Sequence, residues 1–360
     1  MEQFTCGTMI VSGEGALAAL EEQAGKRLLL VTDRMQPFSG MTERIRGMLK
    51  PESAVSFDAV TPEPTMGQAV EGAKRIRTFR PELVVAVGKD HVLDCAKAMV
   101  CFSRSACQLV VVPAAAGSGT AVTGRVTLTH DRHRHTLADS AMRPKTVILD
   151  DGITAENVPS EVAEGGFEIL ADSLESYTGK QSGTLAGMHA REAFSASWGA
   201  LPAAFAGNRA ARSRLQMASV LAGIAYDQTG LGLCHAMTES LGCVFHLSRG
   251  SLAGILLPAV IGCNAHAGGG RIAELARWAG LGGSSEAVGV RNLKAGLIRL
   301  RRELGLPATL AQAGINPRWV WSNVQRILKL TLENPECRNS PVTVDDFLVR
   351  RILEETTGHY

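Results

Sequence analysis

Gly230-Leu-Gly-Leu-Cys-His-Ala-Met-Thr-Glu-Ser-Leu-Gly-Cys-Val-Phe-His-Leu-Ser-Arg249-Gly250 is the stretch from which the rest of the chain is read. A helix over its glycine-flanked apolar run sets His235 and Glu239 one turn apart, so both polar side chains aim at one point. Leu233, Ala236, Met237 and Leu241 surround the pair, which points to a helix with little exposed surface. The same spacing also occurs on solvated helix faces. His246 and Arg249 complete the polar content of the stretch.

Upstream lies Glu161-Val-Ala-Glu-Gly-Gly-Phe-Glu-Ile-Leu-Ala-Asp-Ser-Leu-Glu-Ser-Tyr177, a helical pattern that puts Glu168, Asp172 and Glu175 on one face. Carboxylates four residues apart repel strongly at low dielectric unless a cation lies between them, so such a face either holds a metal or an arginine or is wet. From Ser160 onward the periodicity is helical throughout, punctuated near Pro202, Gly207, Gly230, Gly250, Gly268 and Pro307. Gly268-Gly-Gly270 reads as a loop.

The chain before Asp150 has another texture. Lys26-Arg-Leu-Leu-Leu-Val-Thr-Asp33 is a buried parallel strand ending in an acid, a position that can hold a ribose hydroxyl. Met41 to Leu49 reads as a helix, Ser53 to Val60 as a strand, and Met66 to Phe79, after Pro62-Glu-Pro-Thr, as a second helix. Leu83-Val-Val-Ala-Val-Gly88 is another buried strand, with a helix opening at Lys89. Strand, glycine, helix is phosphate-binding geometry, although Lys89, Asp90 and His91 put bulk and an acid where a pyrophosphate needs room. A strand from Cys107 leads into Ala116-Gly-Ser-Gly-Thr120, a small-residue loop whose amides and hydroxyls can cradle phosphate, or a tight turn. Arg125 to Thr129 and Thr146 to Asp150 complete the strands. A boundary between Asp150 and Ser160 gives an α/β domain over 1–155 and an all-helical domain over 156–360.

Bulk properties narrow the field. With 360 residues, 45% of them hydrophobic, the chain has material for two cores. A formal charge of +2, without a basic block beyond His130-Asp-Arg-His-Arg-His135, argues against nucleic acid as a partner. That histidine cluster reads as a solvated hairpin or a metal or phosphate site. Eight cysteines without a CxxC pair read as reduced cytosolic thiols, so no disulfide and a cytoplasmic location are expected. No apolar window reaches roughly 18 uninterrupted residues, so no membrane span is expected.

In motif order the chain resembles the iron-containing (group III) alcohol dehydrogenases, from about Leu28 to the C-terminus. The landmarks are Asp33, Pro62-Glu-Pro-Thr65, Val84-Val-Ala-Val-Gly88 with Asp94 and Ala96-Lys97, and the loop Pro113 to Thr123. Glu175 with Tyr177, Gly230-Leu-Gly-Leu-Cys-His-Ala236, Ile255-Leu-Leu-Pro258 and Cys337-Arg-Asn-Ser-Pro341 continue the series. The resemblance implies a dinucleotide-binding α/β domain followed by an all-helical one, as in dehydroquinate synthase-like folds, with an active cleft between them. It also implies NAD(H) or NADP(H), a divalent iron or zinc, an alcohol or aldehyde substrate, and a homodimer or larger assembly. Asp33, Gly88, Lys89, Asp94, Gly117, Ser118, Gly119 and Thr120 fall at cofactor positions, and Asp33 favours NAD over NADP.

The family holds its metal with one Asp and three His; the corresponding positions here are Glu168, Asp172, His235 and Arg249. Only His235 matches by identity, and an arginine cannot ligate a cation. The family's further histidine, one turn after His235, is Glu239. Its Gly-Gly-Gly-Ser loop is Gly88-Lys-Asp-His91, and the threonines before the second loop are Ala114 and Ala115. The charges compensate at the metal positions, so Arg249 is expected to replace the metal and pair with Asp172 and Glu168. His235 and Arg249 are then the catalytic candidates, with Glu168, Asp172 and His235 as what is left of a metal site. Three functional readings follow: a nicotinamide-dependent alcohol or aldehyde oxidoreductase, a catalytically silent binding or assembly protein, or an enzyme whose Lys89 and His91 read a smaller phosphate.

Overall fold

The structure is a computed structural model that describes residues 3–33, 39–131 and 133–358. The chain divides into two compact units, one over Thr5–Asn157 and the other from Val158 onward. Phe4 belongs to the second and stacks on its His189.

The first unit runs β1 (Met9–Gly13), β2 (Leu28–Asp33), α1 (Ser39–Leu49), β3 (Ala54–Val60), α2 (Met66–Phe79), β4 (Leu83–Gly88), α3 (Asp90–Ser103), β5 (Gln108–Pro113), β6 (Arg125–His130), β7 (His133–Ala138), β8 (Thr146–Asp150) and a short α4 (Asp151–Thr154). Six strands form one parallel sheet in the order β1-β8-β5-β4-β2-β3. Continuous apolar runs suit strands covered on both faces, and every residue of β4 is buried. Edge strand β1 was outside the strands read from sequence because its Met9 and Ser12 are exposed and its apolar signal is short. β6 and β7 pair antiparallel, so His130, His133 and His135 stand on a hairpin.

Local chemistry starts the helices where the sequence suggests. Thr65 Oγ1 accepts from Gln68 N at 3.1 Å and Gln68 Oε1 accepts from Thr65 N at 2.9 Å, a reciprocal cap that makes Pro62-Glu-Pro-Thr65 the entry to α2. Gly88 is needed for packing, because a Cβ there would lie 2.6 Å from Val92 Cγ2. α3 thus leaves β4 in a tight turn.

The second unit is helical: α5 (Pro159–Thr178), α6 (Thr184–Phe205), α7 (Arg209–Thr229), α8 (Leu233–Phe245), α9 (Arg249–Trp278), α10 (Glu286–Glu303), α11 (Pro317–Ser322), α12 (Val324–Glu333) and α13 (Asp346–Thr357). The break expected near Gly250 falls between α8 and α9, but two others lie inside helices: Pro202 within α6 and Gly268-Gly-Gly270 within α9. Packing explains the glycines: a Cβ on Gly250 would meet Glu164 O at 2.2 Å and one on Gly269 would meet Glu286 Oε1 at 2.2 Å. Close helix approach, which no local pattern encodes, overrides their low helix propensity. Arg249, past the end of α8, opens α9.

Of the described helices, α9 alone is long and apolar enough to cross a membrane, but 78% of its most apolar window is buried, as in a core helix. None of the eight cysteines forms a disulfide.

A buried polar knot fixes the loop after β5. The fully buried Lys97 Nζ lies 2.8 Å from both Thr120 O and Thr120 Oγ1, 3.4 Å from Asp94 Oδ1, and also donates to Arg125 O. Asp94 in turn accepts from Thr120 Oγ1 at 2.5 Å and from Thr127 N at 2.8 Å. Removing one charge from such a set leaves the other buried without its counter-charge. Lys97→Met is expected to cost about 3 kcal/mol or more of stability, read as a lower urea midpoint for the full chain.

Candidate functional site

The site is built on α5, α8 and the start of α9. Glu168, Asp172 and Glu175 are all buried on one face of α5, as their spacing predicts. Each faces a different task.

Glu175 accepts from the backbone N–H of Cys234 at 2.6 Å through Oε1, and from Gly232 at 3.1 Å and His235 at 3.0 Å through Oε2. These are the donors that a helix start leaves without intrahelical partners, and α8 has no side-chain cap of its own. A carboxylate from another helix therefore supplies the cap, with the sign the helix dipole favours. Gly232 permits the approach, since a Cβ there would sit 2.7 Å from Glu175 Oε1. Glu336 Oε2 accepts from Leu231 N at 2.6 Å and Asn339 Nδ2 donates to Leu231 O at 2.9 Å, so the turn before α8 is clamped from two sides. Burial pushes the Glu175 carboxyl up to about 7 against the pull of the three N–H groups, and Glu336 adds to the rise.

The clamped helix start aims His235 at Arg249. Arg249 Nη2 lies 2.9 Å from His235 Nδ1, and its Nε lies 3.1 Å from Glu168 Oε1 and 3.2 Å from Glu239 Oε1. A guanidinium can only donate, so Nδ1 must accept and the ring proton resides on Nε2. Arg249 thereby fixes a neutral tautomer of His235. Its own charge is secured as well: burial works against it, but Glu168, Glu239, Asp172 and Tyr226 outweigh that and hold the guanidinium well above the ordinary arginine value. A cation at the N-terminus of a long helix opposes the dipole, so these carboxylates also compensate the helix. The Arg249 side chain is 23% exposed against 12% for Glu168 and 6% for Glu239, while its Nε is buried between the two carboxylates. Cys234 is no nucleophile, because burial, Glu175 and Asp172 push its thiol well above the usual range.

Glu168, Asp172, His235 and Arg249 are thus brought together. Glu239, which the sequence places on the His235 face without naming a partner, is the addition: it pairs with Arg249 and stands at the position of the family's further histidine. The spacing of Glu239 from His235 was the available signal; that Arg249 returns to meet it from α9 was not readable. Among the described residues no three His, Cys, Asp or Glu side chains form a cluster able to hold a metal ion. With a guanidinium bonded to His235 and paired with Glu168, the residues at the ligand positions do not fit a divalent cation.

The cofactor candidates lie in the α/β unit at the carboxyl ends of β2, β4 and β5. Asp33 ends β2 and is bonded to His91, Nε2 to Oδ2 at 2.7 Å. Gly88 ends β4, and Lys89 precedes α3 as its cap residue with extended backbone. Gly117, Ser118, Gly119 and Thr120 form the loop after β5, with Gly119 at φ 69°, where glycine is favoured. Ser118 donates to Asp90 Oδ2 from both N, at 3.2 Å, and Oγ, at 2.7 Å. Asp94 and Thr120 are committed to the Lys97 knot and shape the loop from below.

Residues 7–151 match the family described as iron-containing alcohol dehydrogenase, and residues 162–356 match the C-terminal part of the Fe-containing alcohol dehydrogenase family. The 1-propanol dehydrogenase PduQ of Citrobacter freundii is 28% identical over 371 residues, covering 99% of this chain and 100% of its own. The NADPH-dependent butanol dehydrogenase of Clostridium saccharobutylicum is 26% identical over 380 residues, covering 98% of this chain and 97% of its own. Among solved structures, the iron-containing alcohol dehydrogenase of Thermococcus thioreducens superposes with a TM-score of 0.90 at 24% identity, covering 98% of this chain and 99% of that one. At that identity the superposition shows a shared fold.

Glu175 gives a measurable pH signature. Its carboxyl titrates near 7 in the folded chain against an ordinary 4.5, so between those values the folded state holds the extra proton. Its contribution to stability is therefore greatest below 4.5 and falls as pH rises towards about 7. At about 1.4 kcal/mol per pH unit this amounts to about 3 kcal/mol. Thermal denaturation from pH 5 to pH 7 is expected to show about 2 kcal/mol of this loss in the native chain and a flatter profile in Glu175→Gln.

Proposed function

The chain belongs to the iron-containing alcohol dehydrogenase family, and from that premise we propose that it is an NAD(P)-dependent alcohol or aldehyde oxidoreductase in which the Arg249 guanidinium stands in the place of the metal. The observation that carries this reading is the position of Arg249, bonded to His235 and paired with Glu168 and Glu239. A reaction at a carbonyl needs a group that stabilises charge growing on oxygen. In the family a metal serves as Lewis acid. Here a permanently charged guanidinium offers N–H donors for the same oxygen, and preorganised donors of this kind lower the barrier because they need no rearrangement as charge develops.

His235 orients that oxygen. As a neutral imidazole with its proton on Nε2 it donates a hydrogen bond and does not release the proton, so the proton that completes the alcohol comes from solvent. Glu168, Glu239 and Asp172 supply the field that keeps the guanidinium charged. Asp33, Gly88, Lys89 and the loop Gly117 to Thr120 are the groups of this chain that would hold a nicotinamide dinucleotide, with Asp94 supporting the loop. The cofactor, when bound, gives or takes the hydride. Short primary alcohols and aldehydes are the substrate class to expect, in keeping with the 1-propanol and butanol dehydrogenases to which the chain is similar.

The test combines metal analysis with turnover. Purified protein is expected to hold iron and zinc well below one equivalent and to reduce short aldehydes with NADH or NADPH without added metal. Arg249→Ala is expected to lower kcat by about a hundredfold or more, with a smaller change in KM. Tightly held stoichiometric metal in the native protein would sink the guanidinium reading. Absence of turnover with either cofactor would move the chain to a binding or assembly role.

A further inference from the structure

In an open parallel sheet, ligands bind outside the carboxyl ends of the strands where the strand order reverses. Here β2 leads outward to β3, β4 returns to the other side of β2, and β5 follows on the far side of β4. The reversal therefore falls between β2 and β4. Asp33 stands at the end of β2, and His91, in the first turn after β4, reaches across that crevice to it at 2.7 Å. The next crevice, between β4 and β5, is bridged too: Asp90 Oδ2 receives both the amide and the hydroxyl of Ser118.

An acid in the first turn of a helix is commonplace and suits the dipole. Asp90 does more than that. Its carboxylate leaves its own helix and takes the two donors that the neighbouring loop presents, at the N-terminal end of α3 where a phosphate would be bound. A carboxylate on a backbone amide and a serine hydroxyl occupies the bonding position of a phosphate oxygen, and its charge repels the pyrophosphate that would replace it. His91 likewise occupies the carboxylate that would receive a ribose hydroxyl.

We propose that the dinucleotide platform of this chain is closed from within, Asp90 filling the phosphate position on Ser118 and His91 filling the ribose position on Asp33, so that a cofactor binds only by displacing both. The inference rests on the oxidoreductase reading and adds the residues that set cofactor affinity and choice. Displacement of Asp90 limits NADH and NADPH alike. Displacement of His91 re-exposes the Asp33 charge, which accepts a ribose 2′-hydroxyl and repels a 2′-phosphate, and so favours NADH.

The experiment is equilibrium titration of the full-length native chain, Asp90→Gly, Asp90→Asn, His91→Ser and the Asp90→Gly/His91→Ser double variant with NADH and with NADPH, without substrate, read by nucleotide fluorescence. Asp90→Asn keeps the side-chain size and removes the charge, so it tests the proposal should the glycine variant fold poorly. Both Asp90 variants are expected to bind both nucleotides about tenfold more tightly than the native chain, as loss of one like charge beside a phosphate implies. His91→Ser is expected to tighten NADH more than NADPH. Affinities in the variants equal to or below native overturn the closed platform and leave the oxidoreductase reading intact. Failure of native and variant chains alike to bind either nucleotide at millimolar concentration overturns the oxidoreductase reading, and the closed platform with it.

Discussion

The Glu175 carboxylate, buried against three backbone N–H groups at the start of α8, is the contact on which the geometry of the helical unit's site depends. It satisfies donors that would otherwise be buried without partners, and it fixes the rotation of α8 about its axis. That rotation decides where His235 points. Because Glu175 shares its α5 face with Glu168 and Asp172, the group that caps α8 and the groups that face Arg249 move as one rigid set. The glycines of Gly230-Leu-Gly232 follow from the same contact. Gly230, at φ 74°, ends α7, and Gly232 leaves room for the carboxylate.

Arg249 then becomes a matter of electrostatic necessity. The carboxylates of Glu168, Asp172 and Glu239 in one buried region need a cation, and a guanidinium is well suited because its charge is permanent even when buried. Its placement as the first residue of α9 would be unfavourable in isolation, since the helix dipole and the guanidinium have like sign there. The carboxylates reverse that balance. The bond to His235 also links electrostatics to chemistry: the residue that neutralises the acids sets the tautomer of the imidazole beside them.

Much of the fold was legible because burial writes itself into composition. Leu83 to Gly88 and Thr146 to Asp150 are continuous apolar strands, and the structure begins and ends them at the same residues. The Glu168, Asp172 and Glu175 face was legible from helical spacing alone. Gly268-Gly-Gly270 was not, because a glycine run looks the same whether it frees a loop or lets two helices touch, and only the neighbouring Glu286 distinguishes them. The Asp33 to His91 and Asp90 to Ser118 contacts were out of reach for a related reason. Each joins residues whose nearness is created by strand order, and strand order is a property of the whole sheet. The sequence marked Lys89, Asp90 and His91 as obstacles to a phosphate without showing which groups they would bond.

The two altered regions share one physical logic, although they lie in different units. In the proposed reading the Arg249 guanidinium takes the place of an external cation beside Glu168 and Glu239. At the phosphate position an external anion is matched by an internal one, Asp90, held by the donors that remain. In both cases a buried polar group without a partner costs more than one with a substitute partner. Such substitutions preserve folding, yet they differ in what they leave for function. A guanidinium still offers hydrogen-bond donors to a substrate oxygen, so the first exchange is compatible with chemistry. A carboxylate on Ser118 repels the phosphate whose place it takes, so the second works against occupancy until that side chain moves.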